Sequence, residues 1–419
     1  MATRSRTKST AFLLPLCTLD LKHGRRAVMT ARGAVSNVGP DKTSTSSAPC
    51  AKWRLNRGRA APHGIAAELL LLAERLQVMI AARIVTLLSL VFAPALLDVL
   101  PLTGAPGPDW QPPAYSKADA FSERAVTVGT GDWKLPGTLT VPHSRTPVPG
   151  VILIHGSGPE DRDETIFGNK PFRDLAEGLA SHGIAVLRYE KRTKEYGAKM
   201  AQMRDLTVRE ETVADAVAAV SLLRAEPAID PKRVFLLGHS LGGYLMPMML
   251  AQAPEAAGGI VLAGTARPLE DVMLDQFEYA RTLPGGDTPE ARKQIDDLSK
   301  QLLSVKDLQP GHEDGPAILG AWPHYWLDLR GYDPVAQAAK IARPLLILQG
   351  ERDYQVTMKE FAIWKAALGG RANVTLKTYP ALNHLFIEGK GKSAPAEYLT
   401  PGHVSGEAVA DIAEWILAH

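Results

Sequence analysis

Cysteine is nearly missing from this chain. The 419 residues contain two, Cys17 and Cys50, and none follows Cys50. That excludes a disulfide framework, a cysteine zinc site and a cysteine nucleophile from the larger part of the molecule. A surplus of positive charge is missing where a core can form. The formal charge of +2 conceals an uneven split. Residues 1–78 hold 13 Lys/Arg and 4 Asp/Glu (13 − 4 = +9), and residues 79–419 hold 34 and 41 (34 − 41 = −7). Nucleic-acid binding by the main part therefore lacks an electrostatic basis. A long unbroken apolar run is also lacking. The run that begins at Ile84 meets Asp98 before reaching the ~20 residues a membrane-spanning helix needs.

What is present suits a folded protein. At 45% hydrophobic residues the chain can bury a sizeable core. Disorder throughout and a collagen-like repeat are excluded by the same composition. The length fits one large domain with additions.

Residues 1–78 read as a disordered or artefactual basic leader, with a genuine targeting leader as the alternative. Arg, Ser, Thr and Gly are frequent, and the stretch Thr43 to Ser47 cannot support a core. Met79 is a second candidate start. Arg83 and the apolar stretch Ile84 to Leu97 give 79–105 the grammar of a signal peptide. The small residues Thr103, Gly104 and Ala105 resemble a cleavage site, but Pro106 opposes cleavage. An uncleaved anchor, with membrane association through 84–100, and a buried helix are the competing readings. An exported protein (periplasmic, secreted or anchored) is expected on this segment alone; without it the protein would be cytoplasmic. Residues 106–120, rich in Gly and Pro, read as a linker.

From Phe121 the pattern changes. Val126 and Val128, then Leu139 and Val141, alternate with polar residues on either side of Gly129 to Asp132, which predicts an antiparallel pair with one wet face. Continuous apolar runs follow at Val151 to Ile154, Ile184 to Leu187, Val234 to Leu237, Ile260 to Ala263 and Leu345 to Leu348. Such runs suit strands buried on both faces of a parallel sheet, and Val374 with Leu376 suggests one more. Helical periodicity separates them. Phe172, Leu175, Ala176 and Leu179 lie on one face behind Pro171. Thr207 with Glu210, and Thr357 with Glu360, have capping-box spacing ahead of further helices. Val409, Ile412, Ala413 and Ile416 mark the last one. The alternation predicts an α/β domain over 121–419 with a mostly parallel central sheet flanked by helices. Pro268 to Asp333 breaks the rhythm. It looks helical and holds 6 Lys/Arg and 13 Asp/Glu (6 − 13 = −7), the whole acidic excess of 79–419. A helical insertion covering the C-terminal edge of the sheet would be a lid at 268–333.

Chemistry concentrates at the ends of these strands. Gly238-His239-Ser240-Leu241-Gly242 follows one strand and precedes a helix-compatible stretch, Gly243 to Leu250. A serine at such a turn is held clear of the sheet by a strained backbone. The helix behind it faces any negative charge that develops. Ser240 is the candidate nucleophile, and it needs a base oriented by an acid. Asp353, just past the Leu345 to Leu348 run, is the candidate acid, with Glu351 as rival. His384, after the Val374/Leu376 strand, is the candidate base, with His403 as competitor. His239 reads as a packing or hydrogen-bonding neighbour. The oxyanion hole should combine the N–H of Leu241 with that of Ser157 in His155-Gly156-Ser157-Gly158, or with that of Gly158. In Glu160 to Asp163 an Arg162–carboxylate clamp is expected rather than a metal site. Arg188 to Arg192 reads as a structural ion-pair cluster, with substrate contact as the alternative.

These residues resemble the α/β-hydrolase superfamily in type and order. More narrowly, His155 to Asp163, Tyr325-Trp326-Leu327-Asp328-Leu329 and Gly350 to Gln355 look like bacterial carboxylesterase-like hydrolases related to the prolyl-oligopeptidase and acyl-thioesterase branches. The resemblance covers 121–419. It implies hydrolysis of a small-molecule ester through an acyl-enzyme, with no cofactor. The elbow serine argues against haloalkane dehalogenases and epoxide hydrolases, which use aspartate, and against dienelactone hydrolases, which use cysteine. Peptidases of the related branch carry a long accessory domain that residues 1–120 are too short to supply, so esters are expected over peptides. An acyl-thioester hydrolase or acyltransferase is the first alternative, followed by a peptidase or amidase and by a non-catalytic binding protein on a hydrolase fold. The acidic insertion should disfavour polyanionic substrates.

Overall fold

The computed structural model describes residues 110–311 and 313–419, and the backbone of two short strands, Thr18–Leu21 (β1) and Arg25–Val28 (β2). The chain divides into two units, Met1–Pro62 and His63–His419. In the first, β1 and β2 pair antiparallel, with Thr18 opposite Val28. The rest of the 1–78 leader, the 79–105 segment and residues 106–109 lie outside the described residues.

The second unit is built on one eight-stranded sheet. Its strands are β3 (Phe121–Val128), β4 (Leu135–Pro142), β5 (Val148–Ile154), β6 (Ala185–Tyr189), β7 (Ile229–His239), β8 (Gly258–Leu262), β9 (Leu345–Gly350) and β10 (Val374–Tyr379). The order across the sheet is β10-β9-β8-β7-β5-β6-β4-β3. The pairs β3–β4 and β4–β6 are antiparallel, and the others are parallel. This is the architecture the α/β alternation predicts.

The continuous apolar runs explain themselves in section. Every residue of β5, β6, β8 and β9 is buried. Side chains alternate across a strand. Ile152, Leu236, Val261 and Ile347 therefore feed the core on one face, and Val151, Leu237, Ile260 and Leu346 feed the core on the other. Helix Pro171–Ser181 and the last helix, Gly406–Ala418, cover the second face. The edge strand β3 is mostly exposed, in keeping with its polar alternation.

Three details differ from the sequence reading. Residues 110–120 are docked rather than free. The Trp110 indole donates to Asp174 at 3.0 Å, and the Tyr115 hydroxyl donates to the Val404 carbonyl at 2.7 Å. Two aromatic side chains with polar handles anchor a stretch whose Gly/Pro content masked them. The helix expected after Thr207 opens with a π-helical turn, Arg209–Val213, before Ala214–Arg224. Glu210 does reach back to the Thr207 N–H at 3.0 Å. Glu360 does not complete a capping box. Its carboxylate, 1% exposed, accepts from the Thr265 hydroxyl (2.8 Å), the Ala266 and Arg267 N–H groups (2.9 and 3.1 Å) and the Arg267 guanidinium (2.6 Å). It thereby fixes the chain as it leaves β8.

Between β8 and β9 lie helices Leu269–Arg281, Pro289–Asp307, Pro323–Arg330 and Pro334–Ala338. This insertion meets the loops at the C-terminal ends of the strands. Tyr279 stacks on Tyr354 with ring centres 5.2 Å apart, and Gln276 donates to the Gln355 carbonyl at 3.0 Å. Tyr325 donates to Glu211 at 2.8 Å, and Tyr332 donates to the Tyr244 carbonyl at 2.8 Å.

Candidate active site

β7 ends at His239, and a helix begins at Leu241, so Ser240 must turn the chain within one residue. Its backbone shows the cost: φ is +52° and ψ −113°. A non-glycine residue in such a region costs about 1–3 kcal/mol and is kept only where its surroundings enforce it. The flanking glycines enforce it here. A Cβ on Gly238 would sit 2.2 Å from the Gly242 carbonyl oxygen, and one on Gly242 would sit 2.5 Å from that of Ile154. The Ser240 N–H is tied to the Leu262 carbonyl at 2.9 Å.

Asp353 stands just beyond the C-terminal end of β9, and His384 in the loop after β10. The structure brings them together, with His384 Nδ1 2.7 Å from Asp353 Oδ2. Both side chains are buried, at 5% and 0% exposure. The other carboxylate oxygen, Oδ1, accepts from the backbone N–H groups of Gln355 (2.8 Å) and Val356 (2.9 Å). Gln349 adds a donor to Oδ2 at 3.1 Å. With this many donors the carboxylate has one orientation. The His384 loop is pinned by Asn383, whose side-chain oxygen accepts from the N–H groups of Leu385 (3.0 Å) and Ile387 (3.1 Å).

The rivals are engaged elsewhere. His403 lies 3.1 Å from Asp174 just ahead of the last helix, and Glu351 accepts from the exposed Thr378 hydroxyl at 2.8 Å. His239, next to Ser240 in the chain, packs its ring on that of His384 with centres 4.6 Å apart, which sets the elbow beside the Asp353–His384 pair.

The loop after β5 is clamped from three sides. The Gly156 N–H donates to Glu164 Oε1 at 2.6 Å, so it is taken. The Gly156 carbonyl accepts from Lys191 at 2.7 Å, and the Gly158 carbonyl from Thr193 at 3.0 Å. The Ser157 N–H has no acceptor among the described residues, and Leu241 opens a helix, where the N–H lacks an intrahelical partner. Gly156 comes close to the elbow, since a Cβ there would be 3.3 Å from that of Ser240.

Buried charge supports this loop. Lys191, 2% exposed, also pairs with Glu211 at 2.7 Å, and Glu211 receives Tyr325 from the insertion. Arg192 and Asp215 form a bidentate pair. Arg188 joins Asp163 and Glu123. Arg162 donates to Glu190 at 2.6 Å and Thr138 at 2.8 Å, the clamp that the sequence suggested. Burial pushes the His155 imidazole down to about 4, so it is neutral at pH 7. Burial, helped by the neighbouring charge of Glu164, raises Glu160 to about 7. Lys191 falls in the ion-pair cluster read from Arg188 to Arg192, but sequence reasoning missed Glu164, Glu211 and Asn383 as supports. Glu211 meets Tyr325 from far along the chain, and Glu164 and Asn383 act on backbone N–H groups, which leave no mark in the sequence.

A strained serine on a strand–turn–helix elbow, a buried acid–histidine pair in the later loops and a clamped glycine loop thus lie at the ends of neighbouring strands of one α/β sheet. Residues 151–399 match the model of the alpha/beta hydrolase family, and this chain belongs to that family. It is 41% identical over 309 residues to Esterase EstD of Thermotoga maritima, which covers 74% of this chain and 71% of that protein. It is 24% identical over 256 residues to the acylamino-acid-releasing enzyme of Rattus norvegicus, covering 60% of this chain but 30% of that enzyme. Among solved structures, Est1E from Butyrivibrio proteoclasticus superposes with a TM-score of 0.45 at 19% identity, covering 70% of this chain and 99% of that one. An acylaminoacyl peptidase from Pyrococcus horikoshii gives 0.43 at 19% identity, and the match spans 63% of this chain and 38% of the peptidase.

Proposed function

We propose that this protein is a serine hydrolase that cleaves carboxylic esters of small molecules through an acyl-enzyme, with Ser240, His384 and Asp353 as its triad. The observation that carries the reading is Ser240 itself, a non-glycine residue at φ +52° beside a buried acid–histidine pair. The 41% identity to an esterase supports the substrate class.

In this mechanism Asp353 holds the Nδ1–H of His384, so the Nε2 lone pair is free to act as base. His384 takes the Ser240 proton as Oγ attacks the ester carbonyl. The oxyanion forms in front of the N–H groups of Ser157 and Leu241, each such donor contributing ~10²–10³-fold. Collapse expels the alcohol, which takes its proton from His384. Water then repeats the sequence on the acyl-enzyme, giving up a proton to His384, and Ser240 leaves with that proton as the carboxylic acid is released. No step calls for a cofactor.

The insertion 268–333 acts as a lid in this reading, supported by its contacts with the loop after Asp353. The segment 79–105 directs export, with 84–100 as the membrane-associating part; this rests on the signal-like pattern of that segment alone. Nucleic acid is not a partner, given the net −7 of residues 79–419.

The test is hydrolysis of p-nitrophenyl esters from acetate to palmitate by the full chain and by Ser240→Ala. Serine-dependent turnover of short chains is expected. A folded protein that turns over no ester would move the reading to thioesters or amides.

A further inference from the structure

Behind the elbow lies a second buried acid–histidine pair that the mechanism does not use. Glu164 and His239 are 3% and 6% exposed, and Glu164 Oε2 lies 3.0 Å from His239 Nδ1. Neither atom has a hydrogen-bond partner, each other included, so the two groups meet by proximity alone. Each residue also grips a functional loop. Glu164 Oε1 accepts the Gly156 N–H at 2.6 Å, one residue before Ser157, whose N–H the proposed mechanism assigns to the oxyanion. His239 Nε2 lies 2.9 Å from the backbone carbonyl of His384. Glu164 holds this position at φ +51°, a strained conformation for a glutamate. Its loop is tied by Asp161, whose backbone carbonyl accepts the Glu164 N–H at 2.9 Å and whose carboxylate accepts the N–H groups of Asp163 and Thr165 at 3.0 Å each.

We infer that Glu164 and doubly protonated His239 form a positioning pair that joins the oxyanion loop to the loop of the general base. The inference rests on the serine hydrolase reading of the site. The geometry sets the proton count. A carbonyl oxygen only accepts, so Nε2 must carry a hydrogen. A neutral Nδ1 would leave its lone pair beside a buried carboxylate 3.0 Å away, whereas a protonated ring balances that charge, so Nδ1 carries one as well. Burial alone would discharge this imidazole, but the charge and contact of Glu164, the His384 carbonyl and the charge of Asp353 outweigh it and raise its pKa. Burial works against the Glu164 carboxylate too, and His239 and the Gly156 N–H outweigh it and lower its pKa. The other ionisable groups around the pair are Glu160, Asp161 and Lys191, the last engaged with Gly156 and Glu211.

Glu164→Ala removes the acceptor for Gly156 and the partner of His239. Glu164→Gln keeps both loops held: its amide oxygen can accept from Gly156, and its NH₂ can donate to a neutral His239 whose Nε2–H still reaches the His384 carbonyl. Three readouts on the full chain test the pair: kcat and KM for a short ester, the rate of inactivation by a fluorophosphonate, and ¹⁵N NMR of the histidine ring nitrogens. Glu164→Ala should lower kcat and inactivation rate about 10–100-fold with KM little changed, short of the ~10²–10³-fold loss of deleting an oxyanion donor outright. Glu164→Gln should restore most of that loss. His239 should show two protonated ring nitrogens at pH 7 in the wild type and one in Glu164→Gln. A folded Glu164→Ala with unchanged kcat, a Glu164→Gln as impaired as the alanine variant, or a wild-type His239 with a bare ring nitrogen would each overturn the inference. Should Glu164→Ala fail to fold, Glu164→Gln and the NMR signature decide. A wild type inert to both esters and fluorophosphonate would contradict the hydrolase reading instead, and the ring-nitrogen signature alone would then uphold or overturn the pair.

Discussion

Asp353→Asn is the sharpest perturbation available at this site, because the surroundings dictate how the amide must sit. Oδ1 of Asp353 faces two backbone N–H groups, from Gln355 at 2.8 Å and Val356 at 2.9 Å. An NH₂ group cannot replace it there without setting donor against donor. The amide oxygen must take that place, and the NH₂ must take the place of Oδ2, 2.7 Å from His384 Nδ1. It then donates to Nδ1, which forces the histidine proton onto Nε2 and removes the lone pair that accepts the serine proton. The substitution leaves shape intact and inverts the tautomer. Loss of base function by this route is worth ~10⁴-fold in kcat, or about 5.5 kcal/mol of barrier. Ser240→Ala or His384→Ala should cost more, on the order of 10⁶-fold. The assay is kcat for a short p-nitrophenyl ester, with thermal unfolding to confirm that the variant is folded. Gln349 then faces an NH₂ in place of Oδ2, but it still donates to the Val356 and Gly350 carbonyls at 2.7 and 3.1 Å, so a modest loss of stability is expected in a variant that still folds. A fall in kcat of less than tenfold in a folded Asp353→Asn would refute the reasoning and turn attention to Glu351.

Other outcomes follow from the same geometry. The fully buried His155 resists protonation down to about 4, whereas in the unfolded chain it protonates near 6.5. The unfolded state therefore binds the extra proton between those values, and stability falls as pH drops. This one group costs roughly 2 kcal/mol at pH 5 relative to pH 7, and denaturant titrations should show His155→Phe escaping that part of the acid loss. Glu360→Ala strands the Ala266 N–H and takes one of two carboxylates from the Arg267 guanidinium, which keeps Asp275, and should cost about 2 kcal/mol in urea unfolding. Gly242→Ala drives a Cβ against the Ile154 carbonyl and displaces the helix behind the elbow, so a folded variant should lose kcat rather than KM.

Much of this was readable in the chain. Strands buried on both faces need unbroken apolar runs, and β5 through β9 have them. The elbow was readable because its turn demands small residues on both sides of Ser240. Asp353 and His384 were readable because they follow strands in the right order. The Arg162 clamp and the Arg188 to Arg192 cluster were readable as charge runs, but the remaining supports were not. Glu164 and His239 meet across long separations in sequence, and nothing local to either marks the other. Glu360 shows the opposite failure. Its spacing from Thr357 suits a capping box, but nearby lie two N–H groups and a guanidinium at the exit of β8, and these offer a carboxylate more than a single helix N–H does. Residues 110–120 misled by composition, since Gly and Pro nearby concealed the anchoring of Trp110 and Tyr115.

The central claim is that Ser240 forms the covalent intermediate. The direct measurement is mass spectrometry of the full chain after reaction with a fluorophosphonate, followed by peptide mapping of the adduct. The account predicts a single adduct on Ser240, absent from Ser240→Ala and slowed in Asp353→Asn. An adduct on another residue, or no adduct on a folded protein that still hydrolyses esters, would contradict it.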